Sequence, residues 1–219
     1  MKIVKIKAGN FKDYPEAILE VVEIIKSGGV VVYPTDTVYG LGANAGNGQA
    51  IEKIFRIKKR PETNPLILIA AGIEMAEKFA QIDAETEKIL SVIWPNPVTV
   101  ILKNKGNLPA AVTAGQATVA LRVPDFELAR YLSEKSGMPL ISTSANISGM
   151  PPAVKSAQVI DYFEKQEYRP DLFLDAGDLS ERIPSTILDL SGGEPKILRK
   201  GPVGEKEIFE IINKTKNAR

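Results

Sequence analysis

The stretch Val30-Val31-Val32-Tyr33-Pro34-Thr35-Asp36-Thr37-Val38-Tyr39-Gly40-Leu41-Gly42 decides how this chain folds. Its β-branched start is typical of a buried strand, and Pro34 ends that strand because proline has no N–H to donate to a neighbour. The next three residues offer two hydroxyls and a carboxylate, and two later glycines allow close approach of other groups. Open α/β sheets bind their ligands at such strand exits. Spacing alone leaves two interpretations open, a ligand-binding exit or an ordinary strand-to-turn junction.

Strand and helix patterns alternate outward from this stretch. A helical apolar face precedes it, and a second helix is predicted over residues 48–60. This alternation predicts the α/β class. No helix is predicted between the apolar strands at residues 98–102 and 118–123, which favours a mixed sheet over a wholly parallel one. Because the chain shows no internal repeat and no linker composition, we expect one domain over residues 1–219.

The composition excludes several kinds of chemistry. The chain has 219 residues with no cysteine and no histidine, so thiolate catalysis and disulfides are excluded and the usual general base is absent. A net charge of +1 does not indicate a broad nucleic-acid-binding face. No apolar run is long enough for a membrane span, and the first residues lack the apolar core of a signal peptide. We therefore expect a cytoplasmic protein.

Three further segments carry polar or charged groups whose role the spacing leaves open. The basic run Lys58–Arg60 either complements a helix C-terminus or contacts a nucleotide. Arg122 lies in an apolar strand, where it forms either a structural ion pair or a contact with an anionic substrate group. The run Ser142–Asn146 is either a turn capped by its own side chains or a tight loop that cradles phosphate. Residues 103–115 show little periodicity, which indicates a loop able to cover the site.

Several segments, in one order along the chain, resemble the YrdC-like family, the threonylcarbamoyl-AMP synthases. They are the opening Tyr33–Gly42, then Lys58-Lys59-Arg60-Pro61, Asn64-Pro65-Leu66, Thr118-Val119-Ala120-Leu121-Arg122-Val123-Pro124, Ser142-Thr143-Ser144-Ala145-Asn146-Ile147-Ser148-Gly149, Ser185-Thr186 and Leu198-Arg199. The resemblance covers a core of about residues 11–203. It implies a single catalytic domain in which a twisted open mixed sheet is flanked by helices and has a basic concave face.

The resemblance also implies a nucleotidyl transfer. L-threonine, bicarbonate or CO2, and ATP would give L-threonylcarbamoyladenylate and pyrophosphate, with Mg2+ held by the ATP phosphates and by no protein ligand. The product would feed threonylcarbamoyladenosine modification of tRNA through a downstream tRNA-modifying threonylcarbamoyl transferase complex. Direct contact of this chain with RNA is expected to be weak. The reaction needs no covalent nucleophile from the enzyme, which suits a chain without cysteine or histidine.

The same resemblance assigns residues to two groups of contacts. The threonine-binding residues would be Thr35, Thr37, Arg122, Ser142 and Ser185, with Asp36 shaping their pocket. The ATP-binding residues would be Lys58, Arg60, Asn64, Thr118, Ser144, Asn146, Pro152 and Arg199. Three positions depart from the family pattern: Ile69 stands where many relatives have histidine, Pro152 where a hydroxyl residue is frequent, and Pro184 where glutamate is common.

Two other functions remain as alternatives. An RNA-binding module is suggested by the basic concave face alone, and the near-neutral net charge disfavours it. A divergent relative of the same fold is the second alternative, either a branch whose activity is less certain or an enzyme that transfers a carbamoyl group from carbamoyl phosphate. The run Ser144-Ala145-Asn146 argues against the first of these, and the second is disfavoured because the sequence shows no zinc-finger or acylphosphatase-like segment.

Overall fold

The computed structural model describes residues 1–180 and 183–217. Within these ranges the strands are β1 (Lys2–Lys5), β2 (Val31–Tyr33), β3 (Gly40–Asn44), β4 (Ile67–Ile69), β5 (Val98–Lys103), β6 (Thr118–Arg122), β7 (Leu140–Ser144), β8 (Leu172–Asp175), β9 (Thr186–Asp189) and β10 (Lys196–Arg199). The helices are α1 (Pro15–Lys26), α2 (Gly48–Lys58), α3 (Ile73–Glu77), α4 (Ala84–Ile93), α5 (Ala110–Thr113), α6 (Glu127–Ser136), α7 (Ser156–Phe163) and α8 (Glu205–Asn217), with a 3-10 helix at Ala8–Asp13.

The described strands form one sheet in the order β1-β8-β2-β3-β7-β4-β6-β5-β9-β10. The sheet contains parallel pairs such as β4 with β6 and antiparallel pairs such as β3 with β7 and β5 with β6. The predicted α/β class and mixed sheet are therefore confirmed. The order is far from sequential, so strands distant in the chain become neighbours at the centre of the sheet.

Period-two alternation divides the side chains of the sheet between two faces. One face, represented by Val32, Leu41, Leu68 and Leu121, packs into a large core with side chains from α2, α4, α7 and α8. The other face packs on α1 and α6 only at one end, around Tyr33. Each fully buried aliphatic or aromatic side chain stabilises this packing by roughly 1.5–3 kcal/mol.

The second face stays open beyond α1 and α6, and this open part holds the candidate site. Strand register puts Ile67, Ala120 and Ile101 side by side across β4, β6 and β5 on that face. All three are only partly buried, whereas Leu68 and Leu121 on the opposite face are fully buried. A concave floor is therefore produced by the sheet itself, without an insertion.

Two expectations about local structure are wrong. Ser142–Ser144 were expected on a tight loop, but they continue β7 because β3 pairs with that strand along its whole length. The segment 103–115 was expected to be a loop able to cover the site. It contains α5, and Val112 of that helix accepts a hydrogen bond from the Leu66 amide at 2.8 Å. In the part of the chain that the structure describes, no helix is both long and apolar enough to span a membrane.

Candidate active site

A cavity of about 470 Å³ lies on the open part of the sheet. Strand ends and the loops between them supply its lining. The polar and charged lining residues are Thr35, Thr37, Arg60, Asn64, Thr99, Arg122, Ser142, Thr143, Ser144, Ser185 and Arg199. The remaining lining residues are Val38, Gly40, Pro65, Ile67, Ile101, Ala120, Pro152, Pro184 and Ile187. Hydroxyls and guanidinium groups thus surround a small apolar floor.

The turn after β2 is built by the hydroxyl of Thr35. Its Oγ1 accepts from the backbone amides of Thr37 at 3.1 Å and Val38 at 3.2 Å, and it donates to the Val38 carbonyl at 2.6 Å. Pro34 cannot continue the strand, so this hydroxyl supplies the turn's hydrogen bonds instead. The Thr37 hydroxyl lies 3.1 Å from that of Thr35 and lines the cavity. The stretch of residues 30–42 therefore forms part of the cavity wall.

Asp36 and Arg122 form a buried ion pair behind this wall. Arg122 Nη2 donates to Asp36 Oδ1 at 2.9 Å, and each side chain is only 6% exposed. A buried guanidinium needs such a counter-charge, because an unpaired buried charge is strongly destabilising. Arg122 also lines the cavity. The two interpretations of this arginine are thus compatible, since one guanidinium has five N–H donors.

A chain of contacts connects β5, β9 and β10 on the far side of the cavity. The hydroxyls of Thr99 and Ser185 lie 2.8 Å apart, and Arg199 donates from Nε and Nη2 to the Ser185 carbonyl at 3.0 and 2.9 Å. Gly201 lets the chain after β10 lie against the start of β9, because any Cβ at position 201 would clash with the Thr186 amide nitrogen. Partial burial lowers the pKa of Arg199, and the positive charge of Arg122 lowers it further. Arg122 and Arg199 therefore both contribute positive charge to the cavity that they line.

Arg60 provides the third positive charge on the wall after α2. Its Nη2 donates to the Pro65 carbonyl at 2.9 Å, which holds the side chain against the loop that leads into β4. Burial lowers the pKa of Arg60 as well. Three guanidinium groups converging on hydroxyls suit an anionic ligand, because charge-assisted hydrogen bonds to arginine are strong and often bidentate.

Lys58, for which the resemblance predicts a phosphate contact, is held by hydrogen bonds to protein atoms. Its Nζ donates to the carbonyls of Ser144 and Asn146 at 2.5 and 3.0 Å and to Asn146 Oδ1 at 3.1 Å. Only 3% of the residue is exposed. Burial lowers the pKa of Lys58 to about 7, and the positive charge of Arg60 contributes to the decrease. Lys58 therefore ties the end of α2 to the end of β7.

Asn146 belongs to the same arrangement. Its Oδ1 accepts from the Ser144 hydroxyl at 2.6 Å, and its Nδ2 donates to the Ile147 and Met150 carbonyls. The side chain of Asn146 thus holds the loop that follows β7 and fixes the hydroxyl of Ser144, which does line the cavity.

The structure brings most of the expected site residues together. Those that line the cavity are Thr35, Thr37, Arg60, Asn64, Arg122, Ser142, Ser144, Pro152, Ser185 and Arg199. Lys58, Thr118 and Asn146 lie outside its lining. Of the departures from the family pattern, Pro152 and Pro184 line the cavity, whereas Ile69 is buried in the core beside α1 and α6. Their roles toward ligands stay predictions.

Sequence reasoning missed Thr99 and the apolar floor of Ile67, Ile101 and Ala120. The strands were correctly expected, and period two predicts that Arg122, Thr118 and Ala120 share one face of β6. The faces of β4 and β5 were not assigned, although the same alternation puts Thr99 and Ile101 on one face of β5. Which face is open follows only from the positions of the helices.

The lining offers poor ligands for a divalent cation. Among the described residues no group of three or more histidine, cysteine, aspartate or glutamate side chains comes together. The cavity lining contains arginines and hydroxyls, whereas Mg2+ prefers carboxylate and other anionic oxygens. These residues therefore fit a metal ion only if it enters with an anionic ligand.

The comparisons with known proteins agree with this geometry. A family model named Sua5_yciO_yrdC, with the description telomere recombination, matches residues 23–201. Threonylcarbamoyl-AMP synthase of Pyrococcus abyssi is 39% identical over 190 residues, which are 86% of this chain and 55% of that protein. The protein of the same name from Psychromonas ingrahamii is 38% identical over 178 residues, 80% of this chain and 93% of that protein. The chain thus spans little more than half the length of the longer relative.

A solved structure extends the likeness to the whole fold. The crystal structure of P. abyssi Sua5 complexed with L-threonine matches with a TM-score of 0.88 and 35% identity, covering 97% of this chain and 61% of the other. The family model and the sequence identities cover most of this chain. On these grounds the chain belongs to the Sua5/YciO/YrdC family.

Proposed function

We propose that this protein is a threonylcarbamoyl-AMP synthase. The observation that carries the proposal is the convergence of Arg60, Arg122 and Arg199 on a hydroxyl-lined cavity in a member of this family. The family relatives named threonylcarbamoyl-AMP synthase, and the Sua5 structure complexed with L-threonine, support the substrates. A volume of about 470 Å³ falls within the usual range for small-molecule sites.

The reaction requires positioning and charge stabilisation, not a nucleophile from the enzyme. The threonine amine adds to CO2, or to bicarbonate with loss of water, to form a carbamate. A carbamate oxygen then attacks the α-phosphate of ATP, its bond to phosphorus forms, and pyrophosphate leaves with the electron pair of the broken bond. Fixed hydrogen-bond donors in a partly desolvated cavity favour such steps. Arginines and hydroxyls are the groups that this cavity offers.

The residues on the wall near β2 and β7 suit the amino acid. Arg122 is held by Asp36 and has further N–H donors for the threonine carboxylate, while the hydroxyls of Thr35, Thr37 and Ser142 border the same space. Ser185 borders it from β9. The fork of Arg122 matches a carboxylate, because two parallel N–H groups meet two oxygens.

The remaining wall suits ATP. Arg60 and Arg199 would bind phosphate oxygens, and Asn64, Ser144 and Pro152 border the same end of the cavity. Lys58 and Asn146 would contribute by holding the loop after β7, since their polar atoms are committed to it. Mg2+ would enter with ATP and be held by the phosphates, where it would neutralise part of their charge.

The product would pass to a tRNA-modifying threonylcarbamoyl transferase complex. The reaction would then take place in the cytoplasm and serve tRNA modification. The whole activity is a proposal for this chain, because it spans 55% of the P. abyssi relative.

Pyrophosphate release tests the proposal directly. The protein would be incubated with MgATP, L-threonine and bicarbonate, and each component would be omitted in turn. We expect release only when all are present, with a threonylcarbamoyl-AMP peak by mass spectrometry. Serine and valine replace threonine as matched controls, one lacking the methyl group and one the hydroxyl. Equal pyrophosphate release without threonine would refute the proposal, because it would indicate hydrolysis of ATP to AMP and pyrophosphate.

A further inference from the structure

The side chain of Tyr33 extends from β2 across the neighbouring strand β3. A Cβ on Gly42 would lie 2.7 Å from Tyr33 Cε1, and one on Gly40 would lie 3.4 Å from the same atom. The two glycines therefore leave a channel along which the ring runs from β2 toward β7. Any larger residue at position 42 would block it, since real Cβ atoms essentially never approach so closely.

The ring ends at a cavity-lining hydroxyl. Tyr33 Oη donates to Ser142 Oγ at 3.0 Å, across the one intervening strand β3 and 109 residues of sequence. Tyr33 itself is fully buried and does not line the cavity, whereas Ser142 does. The tyrosine thus reaches the site only through this serine.

The direction of the hydrogen bond has a chemical consequence. A serine hydroxyl that accepts from Tyr33 keeps its own hydrogen for another acceptor. Burial raises the pKa of Tyr33 to about 12, so the phenol keeps its proton at neutral pH. Ser142 therefore presents a donor to the cavity that the guanidinium of Arg122 also lines.

We propose that Tyr33 is a positioning residue that holds Ser142 as a hydrogen-bond donor toward an oxygen of the amino-acid substrate. The inference rests on the proposed function. Arg122 and Ser142 would then donate together to an acceptor such as the substrate carboxylate, while Tyr33 touches no reacting atom. The tyrosine that opens the motif has a role of its own, separate from the hydroxyls that follow it.

A double-mutant cycle with Tyr33→Phe and Ser142→Ala tests the inference, because phenylalanine keeps the ring and removes only the hydroxyl. The matched control is Tyr39→Phe. Tyr39 is also fully buried, but its hydroxyl donates to the Gly177 carbonyl at 2.6 Å and it lies outside the cavity lining. Melting temperature, kcat, and KM for threonine and for ATP are measured for all variants, with threonine affinity from calorimetry.

We expect Tyr33→Phe to raise KM for threonine about threefold to tenfold, the range for one neutral hydrogen bond, with little change in KM for ATP. In the Ser142→Ala background the same substitution should have no further effect on KM. Tyr39→Phe should lower the melting temperature and leave KM for threonine unchanged. If the wild type is active and Tyr33→Phe has the same KM for threonine, the positioning role is wrong and the proposed function stands. The positioning role is also wrong if the two substitutions have multiplicative effects on the KM for threonine in the double variant. A wild type that neither binds threonine nor makes product overturns the proposed function and this inference with it.

Discussion

At the scale of single residues, Arg122 has both a structural and a binding position. Its ion pair with Asp36 connects β6 to the turn after β2, and both side chains are 6% exposed. Lysine would keep the charge at Arg122 but lose the planar fork. Alanine would leave the carboxylate of Asp36 without this counter-charge. The two substitutions therefore separate the two contributions.

We predict that Arg122→Lys weakens threonine binding at least about tenfold, because hydrogen bonds to charged groups contribute roughly 1.5–3 kcal/mol each. ATP affinity should change little. Arg122→Ala should lower the free energy of unfolding by about 3–5 kcal/mol, as expected when one partner of a buried ion pair is removed. Calorimetric titration and thermal melting measure the two effects.

Arg130→Lys is the matched control for this prediction. Arg130 donates to the Pro124 carbonyl and does not line the cavity, so its substitution should leave threonine binding unchanged. Normal threonine binding by Arg122→Lys would exclude the carboxylate contact. A loss of stability without a selective loss of threonine would do the same.

At the scale of elements, the cavity depends on the two glycines of β3, which leave the site side of that strand without side chains there. Gly40 and Gly42 face the site side of the sheet, and the ring of Tyr33 occupies the space that side chains would otherwise fill. Beside β3, α2 reaches the end of β7 through Lys58, which fixes the loop that Asn146 organises. Short strands thus keep a defined shape because neighbouring elements hold their ends.

Gly42→Ala tests whether β3 tolerates a side chain at this position. The new Cβ would lie 2.7 Å from Tyr33 Cε1 in a fully buried site, and such overpacking costs about 1–3 kcal/mol. We therefore expect a lower urea midpoint and weaker threonine binding than in the wild type. Gly48→Ala is the control, since Gly48 begins α2 and has nothing within 4 Å of an added Cβ. Alanine there should be neutral or stabilising by up to about 1 kcal/mol. Equal stability of the two variants would contradict the assigned role of Gly42.

At the scale of the whole molecule, charge is concentrated locally while the chain is nearly neutral. The net charge is +1, yet three arginines border one cavity. Such a distribution attracts a small anion more than a long polyanion, because counterion release requires many phosphate contacts. The site lies on the end of the sheet that α1 and α6 leave open, so it is accessible to small molecules.

We predict weak RNA binding by the protein alone, with a dissociation constant above about 1 µM at physiological salt. A gel-shift titration at several salt concentrations measures it, with and without MgATP. Tight binding with a steep salt dependence would favour the RNA-binding alternative over the synthase. If the binding were tight and displaced by ATP, RNA would occupy the cavity itself.

The sequence by itself determined most of the elements and most of the polar residues that line the cavity. Val31–Tyr33 form a buried strand because they are β-branched or aromatic, Pro34 ends it, and the hydroxyl of Thr35 builds the following turn. These effects are local, so a few neighbouring residues are sufficient to predict them. The order of the motifs along the chain predicts that Arg60 and Arg199 contact the nucleotide, and both residues line the cavity.

The tertiary structure alone decided which side chains meet. Arg122 pairs with Asp36, 86 residues away, and Tyr33 reaches Ser142 across 109 residues. Lys58 donates to the carbonyls of Ser144 and Asn146, 86 and 88 residues away. Such contacts depend on the strand order and on which face the helices cover. Neither is encoded in local spacing, because period two gives the face of each residue but not the strand beside it.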